Sequence, residues 1–217
     1  MRITVIGGSG RTGRLVVEQL LSNKHAVVAT IRSTRHMADL VKLGAEVQLV
    51  DLDKSEFDVI VNAMKGSDAV IFAAGSAAGE TSELDRKGTL RTVRAAEKAG
   101  VPRYVSISSI GASTGLSTRS MDEEMKDYYR QKRAAAKHIT GSSLKWTIIE
   151  PGQLTDEPGT GKVTMTEEAL DIGPISRADV AAVTVAAVEE PRTDGHVYQV
   201  IGGQTAIGTA LKALLGK

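Results

Sequence analysis

The chain has 217 residues, of which 41% are hydrophobic and 24% are charged, so it can bury a substantial core. Its 27 Lys and Arg residues nearly balance its 26 Asp and Glu residues, and only 3% of residues are aromatic, which argues against nucleic-acid and membrane-surface partners. The absence of cysteine excludes disulfides, thiol catalysis and cysteine-ligated metal. No apolar run approaches the roughly 20 residues that span a bilayer, and the first residues are too rich in glycine for a secretory signal. We therefore expect a cytoplasmic protein.

Short apolar runs alternate with stretches of helical spacing up to residue 150. The apolar runs predict six strands, at residues 3–6, 26–31, 47–50, 69–74, 104–108 and 146–150. The intervening stretches predict helices at residues 11–21, 35–43, 56–64, 84–98 and 122–139. Because most of the strands are wholly apolar rather than alternating, we expect them to be buried and parallel, with right-handed crossovers. The predicted fold class is α/β, with a doubly wound parallel sheet.

The pattern loosens after Pro151. Residues 152–173 are typical of loops, Ser176 predicts the cap of a helix that runs to about residue 188, and a strand at 197–201 and a helix at 205–215 follow. One strand and two helices are too little for an independent core. We therefore expect a single domain over residues 1–217, with 151–217 as a small extension on the substrate side.

Glycines recur between the first predicted strand and the first predicted helix, in the sequence Gly7-Gly8-Ser9-Gly10-Arg11-Thr12-Gly13. Glycines at positions 7, 10 and 13 allow a tight turn, close approach of the backbone to a pyrophosphate and close packing of the helix on the sheet. The N-terminus of the helix offers N–H groups and a partial positive charge to phosphates. This context favours a dinucleotide-binding site of the Rossmann type over an ordinary glycine turn.

The end of the second predicted strand indicates which dinucleotide is bound. NAD sites usually have an acidic residue there, about 20 residues beyond the glycine loop, which binds the ribose hydroxyls. Here Arg32 and Ser33 directly follow the strand, and no acidic residue is present. Arg32, joined by Arg11 from the glycine loop, suits a 2′-phosphate and predicts NADP(H) rather than NAD. The alternative is that both arginines are solvated surface residues.

Motifs along almost the whole chain resemble those of one enzyme family. They are the Gly7-x-x-Gly10-x-x-Gly13 loop, Asp51, Ala73-Ala74-Gly75, Ser106-Ile107-Ser108-Ser109, Tyr128-x-x-x-Lys132, Pro151-Gly152 and Ile175-Ser176-Arg177. Together they resemble the atypical short-chain dehydrogenases/reductases, a branch with epimerase/dehydratase-like, NmrA-like and flavin- or biliverdin-reductase-like members. The resemblance implies a Rossmann-type fold and an NAD(P) cofactor.

The resemblance also implies which residues contact the cofactor. It implies a phosphate loop, a 2′-phosphate contact, an adenine contact, a ribose and pyrophosphate contact, and a nicotinamide end. In that order these are Gly7, Ser9, Gly10, Arg11, Thr12 and Gly13; Arg32 and Ser33; Asp51 and Leu52; Ala73, Ala74 and Gly75; and Pro151 and Gly152. Ser108 and Lys132 are expected as further cofactor contacts, with Lys132 close to the ribose. For Asp51 the alternative is a loop residue that caps the following helix.

Tyr128 and Lys132 are the candidate catalytic pair. Residues four apart share one helix face, and a lysine ammonium beside a phenol stabilises the tyrosinate, which suits a general acid/base. The family pattern adds Ser109, or failing that Ser108, to bind the substrate oxygen, and places Asp85 where an asparagine is usual. Tyr129 and Arg133 show nearly the same pairing, so chance is the alternative.

Three functions are compatible with these patterns. The first is an NADP(H)-dependent reductase of a small carbonyl, quinone or flavin-like acceptor, with its substrate lined by residues 75–82, 111–121 and 152–166. The second is an NADP(H)-sensing regulatory module without turnover, because Asp85 stands where the four catalytic residues of the family usually include an asparagine. The third is a sugar-nucleotide epimerase/dehydratase, for which the segment after Pro151 is short. The scattered histidines predict no metal site, and no pattern indicates the oligomeric state.

Overall fold

The computed structural model describes residues 1–75, 83–115 and 117–216. Helices α1 to α7 are Arg11–Ser22, Met37–Leu43, Phe57–Met64, Glu83–Ala99, Glu123–Thr140, Arg177–Glu189 and Ile207–Leu215. Strands β1 to β11 are Arg2–Ile6, Ala26–Ile31, Glu46–Leu49, Ala69–Phe72, Arg103–Ile107, Lys145–Pro151, Gln153–Thr155, Lys162–Thr166, Pro174–Ser176, His196–Gly202 and Thr205–Ala206.

One nine-stranded sheet runs through the molecule in the order β11-β8-β10-β6-β5-β4-β1-β2-β3. Strands β1 to β6 and β10 are parallel, and β8 runs antiparallel to β10. The strand order reverses at β1, which lies between β2 and β4. The predicted α/β fold with a doubly wound parallel sheet is therefore confirmed, and the crevice at the reversal point is where such sheets bind ligands.

Helices cover both faces of this sheet and form two clusters of buried apolar side chains. On one face, Val16 and Leu20 of α1 belong to the same cluster as Val180 of α6. On the other face, Ile60 of α3 belongs to the same cluster as Val93 of α4. Because α6 and β10 lie beyond residue 151, the C-terminal extension contributes directly to the core that the first six strands build.

The edges of the sheet differ from the sequence-based prediction. The apolar run at 47–50 predicts a buried strand, but Gln48 and Leu49 are exposed because β3 is the edge strand. The predicted loop at 152–173 contains β7 and β8, and Thr205–Ala206 pair with β8 instead of starting the last helix. These short strands form by pairing with distant segments, which local residue patterns do not reveal.

The described residues lack two kinds of feature. None of the described helices is long and apolar enough to cross a membrane. Among residues 1–75, 83–115 and 117–216, no group of three or more His, Asp and Glu side chains is arranged to hold a metal ion.

Candidate functional site

A cleft of about 410 Å³ opens at the carboxyl ends of the central strands. Ile6, Thr30 and Ile107, which lie at or near the ends of β1, β2 and β5, line its floor. Tyr128 of α5 and Arg177, the first residue of α6, line its walls. The cleft thus occupies the reversal point of the sheet, where a doubly wound fold binds its ligand.

The turn between β1 and α1 is tight because its glycines have no side chains. Gly7 has a φ of +80°, in the left-handed region that favours glycine, and its carbonyl oxygen accepts a hydrogen bond from the Gly10 N–H at 2.9 Å. A Cβ on Gly7 would lie 2.8 Å from the backbone of Ala74, and one on Gly13 would lie 2.2 Å from the Gly7 carbonyl oxygen. Gly13 therefore supports the turn from behind and is not part of the cleft lining.

The first turn of α1 presents its backbone N–H groups to the cleft. Gly10 is the N-cap, no side chain caps this helix end, and no acidic residue lies in its first turn. Ser9, Gly10, Arg11 and Thr12 all line the cleft. An uncapped helix N-terminus carries a partial positive charge, so this end of the cleft fits the pyrophosphate of a dinucleotide.

The ends of β2 and β3 form the opposite part of the cleft. Arg32 and the segment Asp51–Asp53 line it, whereas Ser33 lies outside the lining. Asp51 holds a turn, because its Oδ1 accepts from the Asp53 N–H at 3.0 Å and its own N–H donates to the Ser55 hydroxyl at 2.9 Å. Helix α3 begins only at Phe57, so Asp51 does not cap it. Ala73, Ala74 and Gly75, at the end of β4, complete the lining on this side.

Lys132 forms a buried ion pair at the wall of the cleft. Its Nζ lies 2.9 Å from Oδ1 of Asp85, and the two residues are 6% and 1% exposed. The same Nζ lies 5.5 Å from the centre of the Tyr128 ring. Burial lowers the pKa of Lys132, but its attraction to Tyr128 and Asp85 outweighs burial and raises that pKa above its ordinary value. Lys132 is therefore a fixed cation beside Tyr128.

One member of each of the neighbouring pairs Tyr128/Tyr129 and Ser108/Ser109 lines the cleft. Tyr128 and Ser108 line the cleft. Tyr129 is buried, and its burial raises the pKa of its phenol. The structure thus brings Tyr128, Lys132 and Ser108 together at the cleft. Ser109, which the family pattern favours over Ser108 for binding the substrate oxygen, lies outside the cleft lining.

Pro151 and Gly152, which the resemblance assigns to the nicotinamide end, are not among the residues that line the cleft. Pro151 ends β6 and pairs with Val200 of β10, and the Gly152 N–H donates to the Val200 carbonyl at 2.9 Å. A Cβ on Gly152 would lie 2.1 Å from the carbonyl oxygen of Gly173. Gly152 thus packs closely against the backbone of Gly173 and the side chain of Ile201, and Leu154 of β7 lines the cleft instead.

Several residues that line the cleft are not among the cofactor and catalytic contacts that the sequence predicts. No local pattern marks Leu154, which falls in a predicted loop, whereas Arg177 belongs to a motif for which no role was assigned. Of the expected substrate loops, residues 76–82 and 116 lie outside the described residues. The additional lining residues are Ile6, Thr30, Val50, Asp53, Leu84, Ile107, Leu154 and Arg177.

Comparison with known proteins is consistent with this geometry. The model of the NAD(P)H-binding family matches residues 7–191. The chain is 36% identical over 219 residues to the uncharacterized sugar epimerase YhfK of Bacillus subtilis, a match that covers 99% of this chain and 100% of that protein. Among solved structures, the oxidoreductase ylbE of Lactococcus lactis superposes with a TM-score of 0.88 at 29% identity, covering 100% of this chain and 98% of that one. ChuY, an anaerobillin reductase of Escherichia coli O157:H7, superposes with a TM-score of 0.82 at 25% identity, and the match covers 94% of this chain and 98% of that one.

The solved structures share the overall fold of this chain over nearly its whole length. Together the matches confirm the resemblance to atypical short-chain dehydrogenases/reductases that the motifs indicate. The chain therefore belongs to the NAD(P)H-binding family of Rossmann-fold proteins.

Proposed function

We propose that this protein is an NADP(H)-dependent reductase of a small carbonyl, quinone or flavin-like acceptor. The observation that carries the proposal is that Tyr128 and Lys132 face the same cleft as the glycine loop and Arg32. A dinucleotide site and a phenolic proton donor thus share one cavity. The bound cofactor would supply a hydride, and the protein has to supply a proton and a surface that orients the acceptor.

Tyr128 is the proposed proton donor to the acceptor oxygen. Loss of its proton leaves a phenolate, which the adjacent Lys132 ammonium stabilises because opposite charges attract strongly in a partly buried site. Asp85 keeps Lys132 in place through the ion pair. Ser108 also lines the cleft, and its hydroxyl is the proposed hydrogen-bond donor that orients the acceptor.

Arg32 supports the preference for NADP(H). It lines the cleft at the end of β2, where NAD sites have an acidic residue for the ribose hydroxyls. A guanidinium binds a phosphate through two parallel hydrogen bonds, so Arg32 suits the 2′-phosphate that distinguishes the two cofactors.

The ion pair of Lys132 also favours a second candidate, an NADP(H)-sensing module. Asp85 stands where the related enzymes usually have asparagine, and its negative charge offsets the lysine charge that would stabilise a tyrosinate. A protein whose tyrosine keeps its proton would bind the cofactor without turning over. The name of the Bacillus subtilis relative supports a third candidate, a sugar-nucleotide epimerase/dehydratase.

One set of assays separates these candidates. NADPH absorbance is followed with quinones, free flavins and aldehydes, NAD(P)-dependent conversion is measured with nucleotide sugars, and calorimetry measures NADPH binding. A reductase oxidises NADPH with at least one acceptor of the first panel. Binding without turnover on either panel supports the sensor, conversion of a nucleotide sugar supports the epimerase, and absence of NADPH binding contradicts all three.

A further inference from the structure

We propose that Arg177 binds the pyrophosphate of the dinucleotide, and that Asp156 is the positioning residue that holds Arg177 and Arg11 at the rim of the cleft. The proposal rests on the proposed function, because it assumes that the cleft binds NADP(H). It adds a phosphate contact from the C-terminal extension, which the glycine loop and Arg32 do not provide.

A single carboxylate joins the two arginines. Nη1 of Arg11 donates to Oδ2 of Asp156 at 2.9 Å, and Nη1 of Arg177 donates to Oδ1 at 2.6 Å. Both arginines line the cleft. The side chain of Arg177 is only 12% exposed, whereas those of Arg11 and Asp156 are 70% and 65% exposed. Arg177 is therefore the fixed member of the cluster, and Arg11 is the member that solvent reaches.

The two arginines stand at the starts of two helices. Arg11 is the first residue of α1 and Arg177 is the first residue of α6, and these helices pack against each other. Two guanidinium groups and one carboxylate leave a net positive charge, to which the uncapped N-terminus of α1 adds. A pyrophosphate, which carries two negative charges, is the part of a dinucleotide that suits this rim.

Asp156 does not exhaust the hydrogen-bonding capacity of either arginine. A guanidinium carries five N–H groups, and Asp156 accepts from one nitrogen of each arginine. Arg11 and Arg177 can therefore bind a phosphate while they remain bound to Asp156. For this reason we assign Asp156 a positioning role and not that of a competitor for the phosphate site.

The segment that carries Asp156 is held at both ends. On one side Thr155 pairs with Ser176 in the small sheet formed by β7 and β9. On the other side the N–H groups of Thr160 and Gly161 donate to the buried carboxylate of Asp179, at 2.9 and 2.7 Å. Both anchors lie at the start of α6, so they place Asp156 next to Arg177.

A purely structural role explains this cluster poorly. Asp156 is mostly exposed, and ion pairs with an exposed partner contribute little to folding stability. The segment is already anchored by β7 and Asp179 without the arginines. A binding role accounts for why the two guanidinium groups are brought to one carboxylate at the edge of the cleft.

The test compares three ligands that share the pyrophosphate. Calorimetry measures the dissociation constants of NADPH, NADH and ADP-ribose for the parent protein and for Arg177→Gln. We expect binding of all three to weaken about tenfold, because each loses the same charged hydrogen bonds. Arg192→Gln is the matched control, since Arg192 is also paired with a carboxylate, Glu190, but lies outside the cleft lining. Melting temperatures verify that each variant is folded.

Two further variants test the positioning role. Asp156→Asn should weaken binding of all three ligands by roughly two- to fivefold without changing the melting temperature, and Asp156→Glu should restore part of the loss.

Arg177→Lys, which keeps the charge but not the forked geometry, should show a smaller loss of affinity than Arg177→Gln. It replaces Arg177→Gln in the test if that variant does not fold.

Each contrary result has a defined meaning. Unchanged affinities in Arg177→Gln and Arg177→Lys overturn the assignment of Arg177, and a loss confined to NADPH would move it to the 2′-phosphate and also overturn the proposal. Tighter binding by Asp156→Asn would make Asp156 a competitor and refute its positioning role. If the parent protein binds none of the three ligands, the proposed function itself fails, which is distinguishable from all of these outcomes.

Discussion

The buried ion pair between Asp85 and Lys132 predicts a large and non-additive effect on stability. Lys132→Met keeps much of the side-chain volume but removes the ammonium that lies 2.9 Å from an almost fully buried carboxylate. Removal of one partner of a buried pair costs about 3–5 kcal/mol, whereas replacement of both partners is often nearly neutral. Asp85→Asn should fall at the lower end of that range, because the amide oxygen still accepts a hydrogen bond from Lys132.

The assay is thermal and urea unfolding of the parent, both single variants and the double variant. In a chain of this size, 1 kcal/mol shifts the melting temperature by about 2–4 °C, so Lys132→Met should melt roughly 6–20 °C lower. The double variant should recover much of that loss, and the exposed pair Lys126/Glu123 gives the control, where Lys126→Met should have an effect below about 1 kcal/mol. Effects that simply add in the double variant would refute a direct coupling of the two charges.

The same pair predicts the direction of a pH dependence. The pKa of Lys132 is raised in the folded protein, so the stability that its ammonium contributes is fully present below the ordinary lysine value of 10.5. That stability is lost as the pH rises through the higher folded value. The difference in unfolding free energy between the parent and Lys132→Met should therefore be constant at neutral pH and shrink in the alkaline range. A difference that stays constant there would contradict the assigned cause.

Three further predictions concern the cleft. Arg32→Ala should weaken NADPH binding about tenfold and leave NADH binding unchanged; equal affinities of the parent for the two cofactors would contradict it. Tyr128→Phe should lower turnover by about 10²–10⁴-fold, and full turnover in this variant would exclude Tyr128 as the acid. Tyr129→Phe is the control: Tyr129 is buried outside the cleft lining, so its loss of a hydroxyl should cost only about 1 kcal/mol of stability and leave turnover intact. Gly13→Ala should cost about 1–3 kcal/mol and weaken NADPH binding, because its Cβ would meet the Gly7 carbonyl. Melting and calorimetry against Gly208→Ala, which meets nothing within 4 Å, check this, and equal behaviour of the two variants would show that the loop tolerates the Cβ.

Local physical chemistry explains the parts of the fold that the sequence predicts. The six strands and the helices between them follow from apolar runs and helical spacing, and the parallel, doubly wound arrangement follows from the way such units join. Ser176 is recognisable as a helix cap, and its side chain indeed accepts from the Asp179 N–H. The glycine turn is recognisable because the backbone at Gly7 and the close approach at Gly13 exclude other residues.

Side-chain direction is what the sequence leaves undecided at the site. Tyr128 and Tyr129 each precede a basic residue by four positions, and Ser108 and Ser109 both follow β5. The packing of α5 on the sheet turns one tyrosine into the cleft and buries the other against Ser109. That choice depends on which helix face the neighbouring elements cover, and a one-residue difference reverses it.

Pairing between distant segments decides the strands and contacts that local sequence patterns do not predict. Strand β8 forms by pairing with β10, and β11 forms by pairing with the other edge of β8. The β3 edge is exposed because no strand follows it in the sheet. In the cluster of Arg11, Asp156 and Arg177, the ion pair between Arg11 and Asp156 joins residues that are 145 positions apart in the chain. Spacing and composition describe only neighbours along the chain, so contacts made by the closure of the sheet and the packing of α6 on α1 are determined by the tertiary structure alone.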